Sequence, residues 1–182
     1  MVLNYIKLVN KIYNLTQIQR IIPTILVGMI FLVLCPKKAF SQWVPSEKIM
    51  SKAELTIQKI FDVDYVKSPI PLNANYYVLS ADDSILGYMC LEQAPSKHEM
   101  FDFLAIYSAD MQLIKLKILA YRENYGGEIA NKRWLNQFLT RPIEKVQAIS
   151  GATISVESMK MVVSSLSQKM NDWHSAQSLT ED

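Results

Sequence analysis

Apolar positions recur along this chain with two different periods, and the switches between them divide it into elements. Ile49, Ala53, Ile57, Ile60 and Phe61 fall at helical spacing, on one face of a helix that Ser46 opens as an N-cap. Pro69 and Pro71 then break the chain. Strand-like runs follow from Tyr76 to Leu79, from Ile85 to Leu91 and from Phe101 to Tyr107, with Asp82-Asp83 as a turn signal after the first. After a turn near Asp110, a run extends from Leu113 to Tyr121. In it Ile114, Leu116, Ile118 and Ala120 alternate with Lys115 and Lys117, the pattern of a strand with one wet face. Short links between these runs imply antiparallel pairing. Glu128 to Leu139 reads as a short helix with Ile129, Leu135 and Phe138 turned inward. The last helix is the clearest element. Val156, Met159, Val162, Val163, Leu166, Met170 and Trp173 form one stripe, while Glu157, Lys160, Ser164, Gln168 and Lys169 lie off it. Core packing accounts for that stripe. The order of elements predicts an α+β domain, an antiparallel sheet packed with helices.

The first 41 residues follow a different pattern. No acidic residue precedes Glu47; Lys7, Lys11 and Arg20 lead into an apolar run from Ile21 to Leu34. Such a run suits the apolar core of a signal peptide better than a full membrane span, and Ala39-Phe40-Ser41 offers small residues for cleavage before Gln42. Lys37 and Lys38 on the far flank keep an uncleaved N-terminal anchor open. The expected organisation is a signal peptide or anchor over 1–41, one domain over 42–175 and a polar, frayed tail over 176–182, with the domain outside the cytoplasmic membrane.

Composition narrows the chemistry. With 19 basic and 17 acidic residues, the net charge of +2 gives no reason to expect a nucleic-acid partner. Cys35 lies in the apolar leader, which leaves Cys90 alone and without an internal disulfide. His98 and His174 are far apart and have no neighbouring cysteine, so a metal site is not expected. No nucleophile–base pair stands out, and no catalytic residue is assigned.

One turn carries most of the chemical interest. Ser150-Gly151-Ala152-Thr153-Ile154-Ser155 stands directly before the last helix. Gly151 and Ala152 allow close approach to the backbone, Thr153 or Ser155 can cap the helix, and its first N–H groups can receive an anion. The helix dipole adds only about 0.3–1 kcal/mol for a bound phosphate, against the roughly 8 kcal/mol of a micromolar complex. A cofactor kept outside the membrane therefore calls for a covalent bond, and Thr153 offers a hydroxyl. By spacing alone, a plain N-cap is the commoner meaning of such a turn.

The motif resembles the attachment site of the FMN-binding domain family, which includes the C subunit of the sodium-translocating NADH:quinone reductase, the G subunit of the Rnf complex and small exported relatives. Arg122-Glu123-Asn124-Tyr125-Gly126-Gly127-Glu128, followed by Trp134-Leu135 and Phe138, resembles the family segment that approaches the flavin ring. The resemblance runs from about Gly87 to Leu166. It implies FMN linked by a phosphoester to Thr153, installed from FAD by a magnesium-dependent flavin transferase outside the cytoplasmic membrane. It points to Ser150, Gly151, Ala152, Ser155, Glu123, Tyr125, Gly126, Gly127 and Trp134 as the surrounding cofactor-binding residues. Tyr121, Tyr125 and Trp134 would wall the ring, although core packing explains Trp134 equally well. Arg122, Lys132 and Arg133 are candidates to steady the phosphate. The chain departs from the family at Gln147, where aspartate is usual, and at Gly127 and Glu128, where leucine and glycine are usual. The implied function is electron transfer to or from a membrane redox protein, rather than catalysis on a substrate of its own. The alternative is an exported binding module of the same fold with no redox role and no covalent flavin.

Overall fold

Hairpin turns join the strands into one antiparallel meander. In spatial as in chain order these are β1 (Val66–Pro69), β2 (Tyr76–Ala81), β3 (Ser84–Pro95), β4 (Met100–Ser108) and β5 (Leu113–Ala120). The computed structural model describes residues 43–179, so the expectation of a signal peptide or anchor over 1–41 lies outside the described residues. The helices are α1 (Glu47–Phe61), α2 (Lys132–Leu135), α3 (Gln137–Thr140) and α4 (Thr153–Ser178). The α+β class expected from the pattern is the class observed.

Helices cover both faces of the sheet. Tyr88, Cys90, Phe101, Phe103, Ala105, Tyr107 and Leu116 share one apolar cluster with Val156, Met159, Val163, Leu166 and Met170 of α4. The alternate positions Leu79, Met89, Leu91, Leu104 and Ile106 are buried as well. They face α1, which buries Ile49, Ala53 and Ile57. Two polar contacts fix that placement. Lys117, the registered partner of Leu104, donates to Thr56 Oγ1 of α1 at 2.7 Å. Lys67, the partner of Leu79, reaches Glu54 of α1 at 2.5 Å. A strand covered on both faces is apolar at nearly every position, which explains the unbroken buried runs of β3 and β4.

Several local expectations change. The register of β5 against β4 shifts twice, so Ile114 and Leu119 fall between registered pairs. The inward set becomes Leu113, Leu116 and Ile118. Lys115 and Lys117 are half-buried, so the face expected to be wet is partly covered. β1 was not foreseen; it is a short edge strand that ends at Pro69, where a missing N–H costs nothing. The helix expected over Glu128 to Leu139 is three pieces, a 3-10 turn at Gly127–Ala130 and then α2 and α3. Asn131 causes the first break, because its side chain accepts from the Arg133 N–H at 2.8 Å and starts a new helix. Ser46 opens α1 with its carbonyl, which accepts from Ile49 and Met50, and not with its hydroxyl. Asp82 and Asp83 both take positive φ, 46° and 63°, as a two-residue hairpin turn requires. α4 continues through Ser178, past the point where fraying was expected.

Leu104→Ala should cost about 2–5 kcal/mol in denaturant unfolding, because Leu104 is fully buried beneath α1. Met161→Ala, at a side chain 70% exposed on α4, should change stability by no more than about 0.5 kcal/mol. Equal losses from the two substitutions would contradict the two-faced packing.

Candidate functional site

Three separate pieces of chain meet at one end of the sheet. They are the β3–β4 loop at 96–99, the chain leaving β5 at 121–126, and the turn that enters α4. Hydroxyl groups tie them together. Ser155 Oγ lies 2.7 Å from Ser96 Oγ and 3.0 Å from Tyr121 Oη, and Ser96 Oγ is 3.0 Å from Tyr121 Oη. Tyr121 gives its one proton to the Tyr125 carbonyl at 2.8 Å. Its oxygen therefore acts as an acceptor toward the two serines.

Ser155 is only 2% exposed and turned away from its own helix end. The N-cap position belongs to Ala152, and no side chain caps α4. The Val156 N–H bonds back to the Ala152 carbonyl at 2.9 Å, so the N–H groups before it have no intrahelical partner. The expected cap by Thr153 or Ser155 is thus not formed. Thr153 is exposed at the first helical position, and its hydroxyl has no hydrogen-bond partner among the described residues. Gly151 precedes it with φ 82°, and a Cβ there would meet no atom within 4 Å.

Two depressions flank this turn. One, of about 260 Å³, is lined by Tyr121, Tyr125, Gly151, Ala152, Thr153 and Ser155, among others. The other, of about 570 Å³, is lined by Lys97, His98, Arg122, Glu123, Asn124, Tyr125 and Gly151. They share Lys97, Glu123, Tyr125 and Gly151 and so adjoin. Tyr125 is 84% exposed and presents the open aromatic surface of the site.

The remaining expected residues lie close by but do different jobs. Ser150 sits on the exposed turn and lines neither depression. Gly126, at φ 83°, is required by Tyr121, since a Cβ would stand 2.5 Å from the phenol oxygen. Gly127 opens the 3-10 turn. Trp134 belongs to the core and not to the cleft. It is 5% exposed, meets Phe138 edge-on at 5.2 Å, and donates from Nε1 to the Gln147 carbonyl at 2.8 Å. The Gln147 N–H in turn donates to Gln137 Oε1 at 3.0 Å, so the backbone leading to the motif is clamped from both sides.

Charge at the site is also committed locally. Glu123 Oε1 accepts the N–H groups of His98 at 2.7 Å and Glu99 at 3.0 Å. Those bonds hold its carboxyl below the usual glutamate range. Arg122 makes two bonds to Asp102, at 3.0 and 2.5 Å, and one to the Met100 carbonyl at 2.6 Å. Asp102 is fully buried and also receives Gln93 Nε2 at 2.6 Å. The guanidinium thus neutralises a buried carboxylate, and steadying a phosphate is not its main task. Lys132 and Arg133, also candidates for the phosphate, line neither depression. Ser96 and Lys97 were missed in the sequence, where the β3–β4 loop carries no motif. Asp102 did leave a signal, a lone acid inside an apolar strand.

An exposed hydroxyl at an uncapped helix start, beside an open cleft with an aromatic wall, defines a protein suited to hold a phosphorylated ring compound. Residues 98–168 match the FMN-binding domain family. FMN is its cofactor. No curated protein matches the chain. The matched segment runs from the β3–β4 loop into α4, so Thr153, Ser155, Tyr121 and Tyr125 fall within it and Ser96 and Lys97 just before it. The residues present fit the group: Thr153 and the first turn of α4 for the phosphate, Gly151 for close approach, Tyr125 for the ring.

The amide protons of His98 and Glu99 should titrate together by NMR, with a midpoint below the ordinary glutamate value of 4.5. Because the folded-state value is depressed, Glu123 steadies this loop above the ordinary range and the support is lost as pH falls through the lowered value. Glu123→Gln should remove the shared titration. A midpoint at or above 4.5 would rule out the two backbone bonds as its cause.

Proposed function

We propose that this protein is an exported electron-transfer module whose FMN is joined to Thr153 by a phosphoester. The observation that carries the proposal is the exposed Thr153 hydroxyl at the uncapped start of α4, with Ser155 held away from it by Ser96 and Tyr121. Bound FMN supplies one- or two-electron transfer. The protein's own part is placement. The N–H groups of the first turn and the dipole of α4 favour a phosphate on the Thr153 oxygen. Lys97 adds positive charge at the rim, and Tyr125 offers a face to a flat ring.

Attachment is a phosphoryl transfer. The Thr153 oxygen forms a new bond to the flavin-side phosphorus of FAD, the bond between the two phosphates breaks, the adenylate half leaves, and the hydroxyl proton is released. The enzyme implied by the family resemblance for this step is a magnesium-dependent flavin transferase outside the cytoplasmic membrane. The redox partner is a membrane protein. The basic start and apolar run of residues 1–41 support that location.

When the full chain is exported in a host with the transferase, its intact mass should exceed the mass of the chain by one FMN, and the protein should stay yellow after denaturation. Thr153→Ala should abolish both signals, whereas Ser150→Ala, on the exposed turn, should lower occupancy only in part. Flavin retained by the alanine variant after denaturation would refute the attachment site. Gln147→Asp should raise occupancy when transferase is limiting, if the side chain at this position guides recognition. Equal occupancy of the two forms would show that it does not.

A further inference from the structure

Another cavity lies away from the turn that enters α4 and shares no lining residue with the two depressions beside that turn. Its volume is about 340 Å³, and it is bounded by the end of α1, the middle of β5 and the chain from Ala130 to Leu135. Lys59, Lys115, Lys117 and Lys132 line it together with apolar residues that include Ile60 and Leu135. The ion pairs among the described residues join Lys67 to Glu54, Arg122 to Asp102 and Lys160 to Glu157, and none involves these four lysines. Lys117 bonds only a hydroxyl, Thr56 Oγ1 at 2.7 Å. Neighbouring Lys52 donates to the Leu119 carbonyl at 2.7 Å.

Lysines on an edge strand often serve to block edge-to-edge pairing. That accounts for Lys115 and Lys117 on β5. It does not account for Lys59 on α1 or Lys132 on α2, which bring two more positive charges to the same cavity. Lys117 shows the tension directly. Burial first, and then the charges of Lys59, Lys52, Lys115 and Lys132, push its ammonium below the usual lysine range, and no carboxylate acts the other way.

We propose that this cavity binds a phosphate group. Like charges gathered beside apolar side chains repel one another, and an anion among them removes that cost. A dianion suits the cluster better than a carboxylate, because a single negative charge leaves most of the repulsion in place. Lysines bind phosphate as point charges, without the planar geometry that arginine would impose. Thr56, Lys59 and Ile60 lie before the segment shared with the FMN-binding domain family, so this chain adds part of the site from its own α1. The phosphate belongs either to a soluble phosphate compound or to an anionic phospholipid headgroup.

Titration of the full chain with inorganic phosphate by calorimetry tests the soluble source, and co-sedimentation with phosphatidylglycerol vesicles tests the lipid source. Phosphatidylcholine vesicles serve as the neutral control. Binding to either probe should weaken about tenfold or more in Lys117→Gln and in the exposed variant Lys132→Gln. It should be unchanged in Lys160→Gln and in Thr153→Ala, and it should fall as salt rises. Lysine-dependent binding to inorganic phosphate supports the site with a soluble ligand. Lysine-dependent binding to the anionic vesicles alone supports it with a lipid headgroup. Binding to neither probe, or equal binding by all variants, overturns the proposal. Loss in Thr153→Ala alone also overturns it, because the phosphate would then sit at the flavin turn.

Discussion

Ser155 stands two residues after Thr153, and its hydroxyl points away from the helix end, into a bond set with Ser96 and Tyr121. Each such bond contributes only about 0.5–1.5 kcal/mol. Their importance is geometric. They join the β3–β4 loop, the chain after β5 and the start of α4, three segments up to 59 residues apart in sequence. They also leave α4 uncapped, at a cost of about 0.5–2 kcal/mol relative to a good cap. The first N–H groups of a 26-residue helix then open onto the cleft beside Thr153.

The buried ion pair of Asp102 and Arg122 supports the same end of the sheet from beneath. Asp102 lies in β4 with Phe101 and Phe103 on either side, and its carboxylate is satisfied by Arg122 and Gln93 together. Arg122 lies two residues past the end of β5, so the pair fixes how the chain leaves the sheet and begins the loop that carries Glu123 and Tyr125. Glu123 then holds the backbone of His98 and Glu99. Loop order is thus imposed by charges in known places, while the surface facing the ligand keeps Tyr125 exposed and Gly151 bare.

Much of this was legible in the sequence, for reasons that can be stated. Helical spacing in α1 and α4 is a local signal, and both helices lie close to where the pattern puts them. β3 and β4 were visible as apolar runs, but the reason for their continuity was not, because burial of both faces depends on where α1 packs. β1 was missed since an edge strand with exposed Val66 buries too little to leave a pattern. The motif at 150–155 was legible as the turn that opens the last helix and only partly in its detailed geometry. Thr153 stands at the helix start as expected, but Ser155 does not cap it. The partners of Ser155 lie 34 and 59 residues away, where no periodicity reaches. Trp134 shows the limit most plainly: two readings were open, and burial against Phe138 places it in the core.

The position of Trp134 also gives Gln147 a physical meaning. The indole N–H holds the Gln147 carbonyl, and Gln137 holds its N–H, so both main-chain groups are engaged while the side chain is exposed. Any recognition through residue 147 must therefore use the side chain alone. Glutamine in place of the family's aspartate changes the charge presented there, and the backbone clamp does not depend on that charge. The path of the chain into Ser150–Thr153 is then insulated from the substitution. A carboxylate at 147 would act on an approaching partner and not on the fold of the motif. In the proposed reading, attachment depends on what an external transferase meets at the side chain of residue 147, while the motif geometry is held by Trp134, Gln137 and the hydroxyl bonds of Ser155.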